Sequence, residues 1–166
     1  MRIHVTGNAG AGKTTLCRNL AAQYQLPVYH LDKIVWAANW QKPEPQQVTA
    51  ALHALGAKPT WVIDGVSPII RDQADIILLL DTPTWMCLYR CVKRCFKYGW
   101  ATRPELPENC PEIKVLFRAI HLVWRFSRGY RRQLLDEARD SRRYRVCRSP
   151  QQAMQAIEQF VAGGQS

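Results

Sequence analysis

Apolar residues along the chain fall in short runs between turn residues, and between those runs they recur at helical spacing. In Arg2 to Thr6 (RIHVT), Ile3 and Val5 alternate with Arg2 and His4, the pattern of a buried strand. Leu16, Leu20 and Ala21 follow at helical intervals. Pro27 breaks that helix, and VYHLD (28–32) reads as a second short strand. A Trp/Pro-rich connection, WAANWQKPEP, leads into a helix around Gln46–Leu55 that Gly56 ends. TWVIDG (60–65) and ADIILLLD (74–81) are the next strands. The latter is a continuous apolar run, as in a strand buried on both faces of a parallel sheet. TPTW opens a helix from Trp85 to about Tyr98, followed by the Pro-rich loop GWATRPELPENCPE. A second long helix is expected from about Glu112 to Ser127, interrupted at Gly129. YRVCRS (144–149) is a fifth strand, and Pro150 begins a last helix to Val161. Strands alternating with helices predict a doubly wound α/β fold, and 166 residues predict one domain.

The junction between the first strand and the first helix carries the clearest chemistry. Gly7, Asn8, Ala9, Gly10, Ala11, Gly12, Lys13 and Thr14 match GxxxxGK[ST], the phosphate-binding P-loop, and Thr15 follows. Glycines let the backbone turn its N–H groups inward into an anion-binding concavity. Lys13 can reach terminal phosphates, the Thr14 hydroxyl can ligate Mg²⁺, and the helix start adds a positive dipole end. A chance match in a chain of this length has a probability of about one per cent, and the strand-to-helix setting lowers it further. ATP with Mg²⁺ is the expected cofactor pair.

Composition narrows the setting. The opening apolar run is too short for a secretory signal, and no apolar stretch approaches a membrane span, so a cytoplasmic, non-membrane protein is expected. Six cysteines form no CxxC pair; Cys87, Cys91 and Cys95 recur every fourth residue, as small buried hydrophobes on one helix face would. The net charge of +10 is uneven: residues 90–148 hold 16 Lys and Arg against 6 Asp and Glu, and the rest of the chain balances. That segment either docks polyanions or supplies cations to a phosphate-rich site.

Three strands end in aspartate. Asp32 is assigned to the acceptor side, as recipient of a hydroxyl proton, and Asp64 to Mg²⁺ beside Thr14. Asp81, before Thr82-Pro83 and a helix, is assigned to capping. Arg90, Arg94 and Lys97 share one helix face. Lys114, Arg118, His121, Arg125 and Arg128 follow the spacing 4, 3, 4, 3, a stripe opposite Ile113, Leu116, Phe117, Ile120 and Trp124. The stripe has no acidic i,i+4 partner to relieve repulsion. Arg90, Arg94, Arg118 and Arg125 are therefore candidates, with Lys13, to surround a migrating phosphoryl group.

The chain resembles the adenylate-kinase-like P-loop kinases, and within them the small bacterial DNA topology modulation proteins of FlaR type. The residues that carry the likeness are GNAGAGKTTL, PVYHLD with Trp36 and Trp40, WVIDG, ADIILLLDTPTWMCLYRCVKR and TRPELPENCPE. The resemblance implies a five-stranded parallel sheet of order 2-3-1-4-5, an acceptor-side segment of about residues 33–60 and a helical lid of about 97–128. It implies that Arg90 and Arg94 match the RxxxR pair leading into the lid and contact nucleotide. It further implies that Asp64-Gly65 matches the acidic DG pair tied to Mg²⁺, and that Arg148, Ser149 and Pro150 lie against adenine. DGVSP here lacks the arginine that follows this motif in adenylate kinases, and Arg71 is the nearby replacement. The leading expectation is phosphoryl transfer from Mg·ATP to a small, phosphorylated or nucleotide-like acceptor, with Trp36 and Trp40 beside its pocket. The alternative is an ATP-binding regulator that contacts DNA through residues 90–148. No helix-turn-helix is evident, and no LSGGQ or NKxD stretch points to a transport ATPase or a GTPase. A nucleotide binder without turnover is a third reading, which the intact Lys13 and Thr14 disfavour.

Overall fold

The computed structural model describes residues 1–98, 106–108 and 116–163. Its centre is a five-stranded parallel sheet of order β2-β3-β1-β4-β5, as expected, built from β1 (Arg2–Gly7), β2 (Val28–His30), β3 (Trp61–Asp64), β4 (Ile76–Leu80) and β5 (Tyr144–Cys147). Helices α1 (Lys13–Tyr24), α2 (Asp32–Val35), α3 (Pro45–Gly56), α4 (Pro68–Gln73), α5 (Thr84–Tyr98), α6 (Leu116–Arg125), α7 (Arg131–Asp140) and α8 (Pro150–Gly163) connect the strands.

Strand alternation sorts the core into two layers. Ile3, Val5, Val62, Ile76, Leu78 and Leu80 pack with Leu16 and Leu20 of α1, Cys87 and Cys91 of α5 and Ile157 of α8. Trp61, Ile63 and Ile77 face the other way, onto Leu52 and Leu55 of α3 and Ile70 of α4. All five residues of β4 are buried, because helices cover the sheet on both sides. Cys87, Cys91 and Cys95 are indeed the buried face of α5, as free thiols; burial pushes the Cys87 thiol up to about 11, where it stays protonated and inert. Cys110 lies outside the described residues.

The largest departure from the periodicity lies after α6. Gly129 does not stop the helix: Phe126–Tyr130 form a π-helical turn that passes straight into α7, an element the sequence pattern did not reveal. Buried Phe126 and Leu134 pin this continuous rod to Leu79 of β4. Nor is the apolar face of α6 the packed one throughout. Val123 is buried, whereas Phe117 and Trp124 are 85% and 47% exposed. Ile113, Lys114 and much of the expected lid, residues 99–105 and 109–115, lie outside the described residues.

His4 is a polar residue inside the sheet, 1% exposed. Its Nε2 lies 3.1 Å from the Gly65 carbonyl, which can only accept, so Nε2 carries the proton and Nδ1 is the bare nitrogen. Burial, helped by the Arg71 and Lys13 charges, lowers its pKa from 6.5 to about 4. Between those two pH values the unfolded chain takes up a proton that the folded chain refuses. Stability should therefore fall by about 3 kcal/mol as pH drops from 6.5 to 4. Urea midpoints across this range should show that slope in the parent and a flatter one in His4→Gln; equal slopes would assign the loss elsewhere.

Candidate active site

The GxxxxGKT loop is built by close approach and by long-range anchors. Gly10 has φ +79°, and a Cβ there would meet the Cys87 carbonyl oxygen of α5 at 2.5 Å, so only glycine fits. Lys13, the first residue of α1, donates its Nζ to the Gly7 and Asn8 carbonyls at 3.1 and 2.9 Å. Asn8 is 3% exposed. Its Oδ1 accepts from the Ala9 amide at 2.8 Å, and its Nδ2 donates to the Val123 carbonyl and the Ser127 Oγ, both at 3.1 Å. Ser127 in turn donates to the Val123 carbonyl and accepts from Thr84 at the start of α5. Arg90, also on α5, donates to the Gly10 and Ala11 carbonyls at 3.3 Å each. The loop is thus tied to the α6 end and to α5 at once.

Beside it, at the carboxyl edge of the sheet, parallel pairing sets His30 next to Asp64. His30 Nδ1 lies 2.9 Å from Asp64 Oδ1, and the Thr14 hydroxyl donates to Asp64 Oδ2 at 2.8 Å. Burial pushes the Asp64 carboxyl up, but His30, Lys13 and Thr14 together outweigh it and hold the group below its ordinary 3.8. Asp64 is therefore ionised at neutral pH, and its contribution to stability is lost only in acid below 3.8, clear of the His4 window. Asp32 opens α2 at the next strand end and is exposed to the cavity.

These groups line one cavity of about 910 Å³. Residues of Gly7–Thr15 form its floor. Arg90 and Arg94 come from α5, Arg118 and Arg125 from α6, and Arg18 from α1; Trp36, Trp40, Asp32 and Asp64 line the cavity as well. With Lys13, six cations face two carboxylates. The Arg118 guanidinium lies 4.7 Å over the Trp36 ring. Arg18 and His30 did not stand out in the sequence; Arg18 follows Thr14 by four residues, so helical spacing alone sets both on one face.

Other expected site residues lie elsewhere. Arg148, Ser149 and Pro150 do not line the cavity: Ser149 Oγ accepts from the Gln152 amide, the Arg148 amide donates to the Gln152 side chain, and the three start α8. Asp81 accepts both arms of the Arg131 guanidinium, at 2.6 and 2.8 Å, while the Pro83 carbonyl accepts the Met86 and Cys87 amides of α5. Its expected capping role is thus corrected to an ion pair holding α7. Arg71 is 2.8 Å from Glu137 and is not among the lining residues. Of the expected lid, Glu108 reaches the Trp36–Trp40 loop, its carbonyl accepting from the Asn39 amide at 3.3 Å.

No helix among the described residues is long and apolar enough to cross a membrane. No family model matches the chain, and no curated protein matches it. Solved structures do. A shikimate kinase from Acinetobacter baumannii in complex with shikimate superposes with a TM-score of 0.58 at 16% identity, over 98% of this chain and 93% of its own. The YorR protein from Bacillus subtilis in complex with phosphorylated GDP gives 0.58 at 12% identity, over 96% and 95%. A shikimate kinase from Bacteroides thetaiotaomicron gives 0.54 at 14%, over 100% and 99%. The likeness to FlaR-type proteins rests on sequence motifs alone, and what these structures add is the fold: the chain is built as the P-loop kinases are.

Proposed function

We propose that this chain is a Mg²⁺- and ATP-dependent kinase acting on a small, phosphorylated or nucleotide-like acceptor. One observation carries the reading: a phosphate loop, six cations and a Thr14–Asp64 pair share one cavity. In this reading 1–166 is one domain, residues 33–60 wall the acceptor and about 97–128 close over it. Lys13 and the loop amides hold terminal phosphates, and Arg90, already against the loop carbonyls, balances the charge that spreads over the migrating group. Arg94, Arg118 and Arg125 supply further positive charge from the two helices that bound the cavity. Thr14 and Asp64 offer the oxygen donors a hard divalent cation takes, completed by phosphate oxygens; Mg²⁺ there would neutralise the phosphate tail. Asp32 receives the acceptor proton.

The DNA-regulator alternative draws on the same basic segment, and four of its cations line the cavity. Purified protein with γ-labelled ATP, Mg²⁺ and panels of nucleosides, nucleotides and hydroxylated metabolites should yield a labelled small molecule. Label transfer to none of them, together with protection of residues 116–128 from hydrogen exchange by duplex DNA at physiological salt, would overturn the kinase reading.

A further inference from the structure

The loop Trp36–Gln41 is built in an unusual way. Ala37 and Gln41 pair as an isolated antiparallel bridge, the Ala37 amide donating to the Gln41 carbonyl at 2.9 Å. Inside that closure Asn39 and Trp40 both adopt the left-handed region, at φ 60° and 59°. Asparagine tolerates this conformation, but a bulky aromatic does not, and such strain persists only where surroundings impose it. Its effect is to set Trp40 edge-on to Trp36, with ring centroids 5.4 Å apart and planes at 82°. Trp36 therefore presents a ring braced from the side on the cavity wall. Over it, at 4.7 Å, lies a flat cation, the Arg118 guanidinium.

Apolar side chains line the same cavity: Leu31, Val35, Val66, Ala119 and Leu122, with Asp32 and Asp64 as its carboxylates. Against these side chains a hydroxyl finds no partner, whereas apolar ring surface is buried favourably. A planar ring would lose little and would stack.

We propose that the acceptor is an aromatic or heteroaromatic compound bearing an anionic group and a hydroxyl, and that its ring stacks on Trp36 where the Arg118 guanidinium now lies. Arg118 then turns to the acceptor's anion. The acceptor oxygen bonds to the γ-phosphorus of ATP, the bond from that phosphorus to the β–γ bridging oxygen breaks, ADP departs, and the hydroxyl proton goes to Asp32. The inference rests on the kinase reading and narrows it; since solved structures of this fold include complexes with shikimate and with phosphorylated GDP, the fold alone leaves the acceptor class open.

The test compares two panels of phosphate monoesters, matched in charge. One holds ring-bearing acids (adenosine and thymidine monophosphates, hydroxyaryl phosphates), the other aliphatic acids (glycerol phosphate, ribose 5-phosphate). Ring acids should quench tryptophan emission and bind at least tenfold more tightly. Trp36→Leu should weaken them by on the order of ten- to a hundredfold, the range of base–aromatic stacking. Trp36→Phe should retain most of the affinity, and calorimetry with ATP should be unchanged in both variants. Aliphatic acids binding equally well, or ring binding indifferent to Trp36→Leu, would overturn the stacking proposal even if label transfer is seen. Ring binding that depends on Trp36, with label transferred to no compound, would instead overturn the kinase reading and leave the stacking site standing.

Discussion

Lys13→Ala should weaken Mg·ATP binding by about ten- to a hundredfold, leave the chain folded and reduce phosphoryl transfer still further. The Lys13 ammonium is aimed into the cavity while held by two loop carbonyls at 3.1 and 2.9 Å. A hydrogen bond to a charged group contributes about 1.5–3 kcal/mol, and each 1.4 kcal/mol is about tenfold in affinity. The loop keeps its other supports in the variant, since Asn8 still reaches Val123 and Ser127 and Arg90 still reaches Gly10 and Ala11. Circular dichroism and the melting temperature should therefore change little. Calorimetry decides the matter: an affinity for Mg·ATP equal to that of the parent would falsify the assignment of Lys13 to phosphate.

Asp32→Asn should act on the other half of the reaction. Transfer to an identified acceptor should drop by about 10²–10⁴, the usual contribution of a positioned general base, while ATP affinity stays within twofold. The substitution keeps the shape of the side chain and its place at the start of α2, and removes only basicity. A variant that turns over like the parent would reduce Asp32 to a helix-starting residue.

What the sequence made legible was local. The strands show as short apolar runs because both faces of the sheet are covered, and the P-loop shows because its backbone geometry demands glycine at fixed spacing. Sheet order came from motif resemblance, not from periodicity. Most of the failures involve partners far apart in the chain. Nothing near Asp81 announces Arg131, fifty residues on, so its position before a helix suggested a cap. Gly129 reads as a breaker by propensity, yet Phe126 and Leu134 hold the helix together across it through contacts with β4. Phe117 and Trp124 fit an apolar stripe, but the surface that α6 meets is set by where α5 and the loop lie. α7 escaped notice because RRQLLDEARD has one buried residue, Leu134, and a polar remainder. His30 gains its significance only from strand pairing that sets it beside Asp64.

The anchoring of Asn8 bears on how the protein is made. The GxxxxGKT motif precedes both hydrogen-bond partners of the Asn8 amide in the chain, so a ribosome delivers the motif before them. The acceptors of the Asn8 side-chain amide, the Val123 carbonyl and the Ser127 hydroxyl, are 115 and 119 residues downstream, and Arg90 is 80 and 79 residues from the Gly10 and Ala11 carbonyls it holds. Closing contacts of that separation is the slow, late part of folding. A nascent chain stopped before Ser127 therefore carries an intact phosphate-binding signature with no scaffold to shape it. In the proposed reading, nucleotide capture therefore waits until synthesis has passed Ser127.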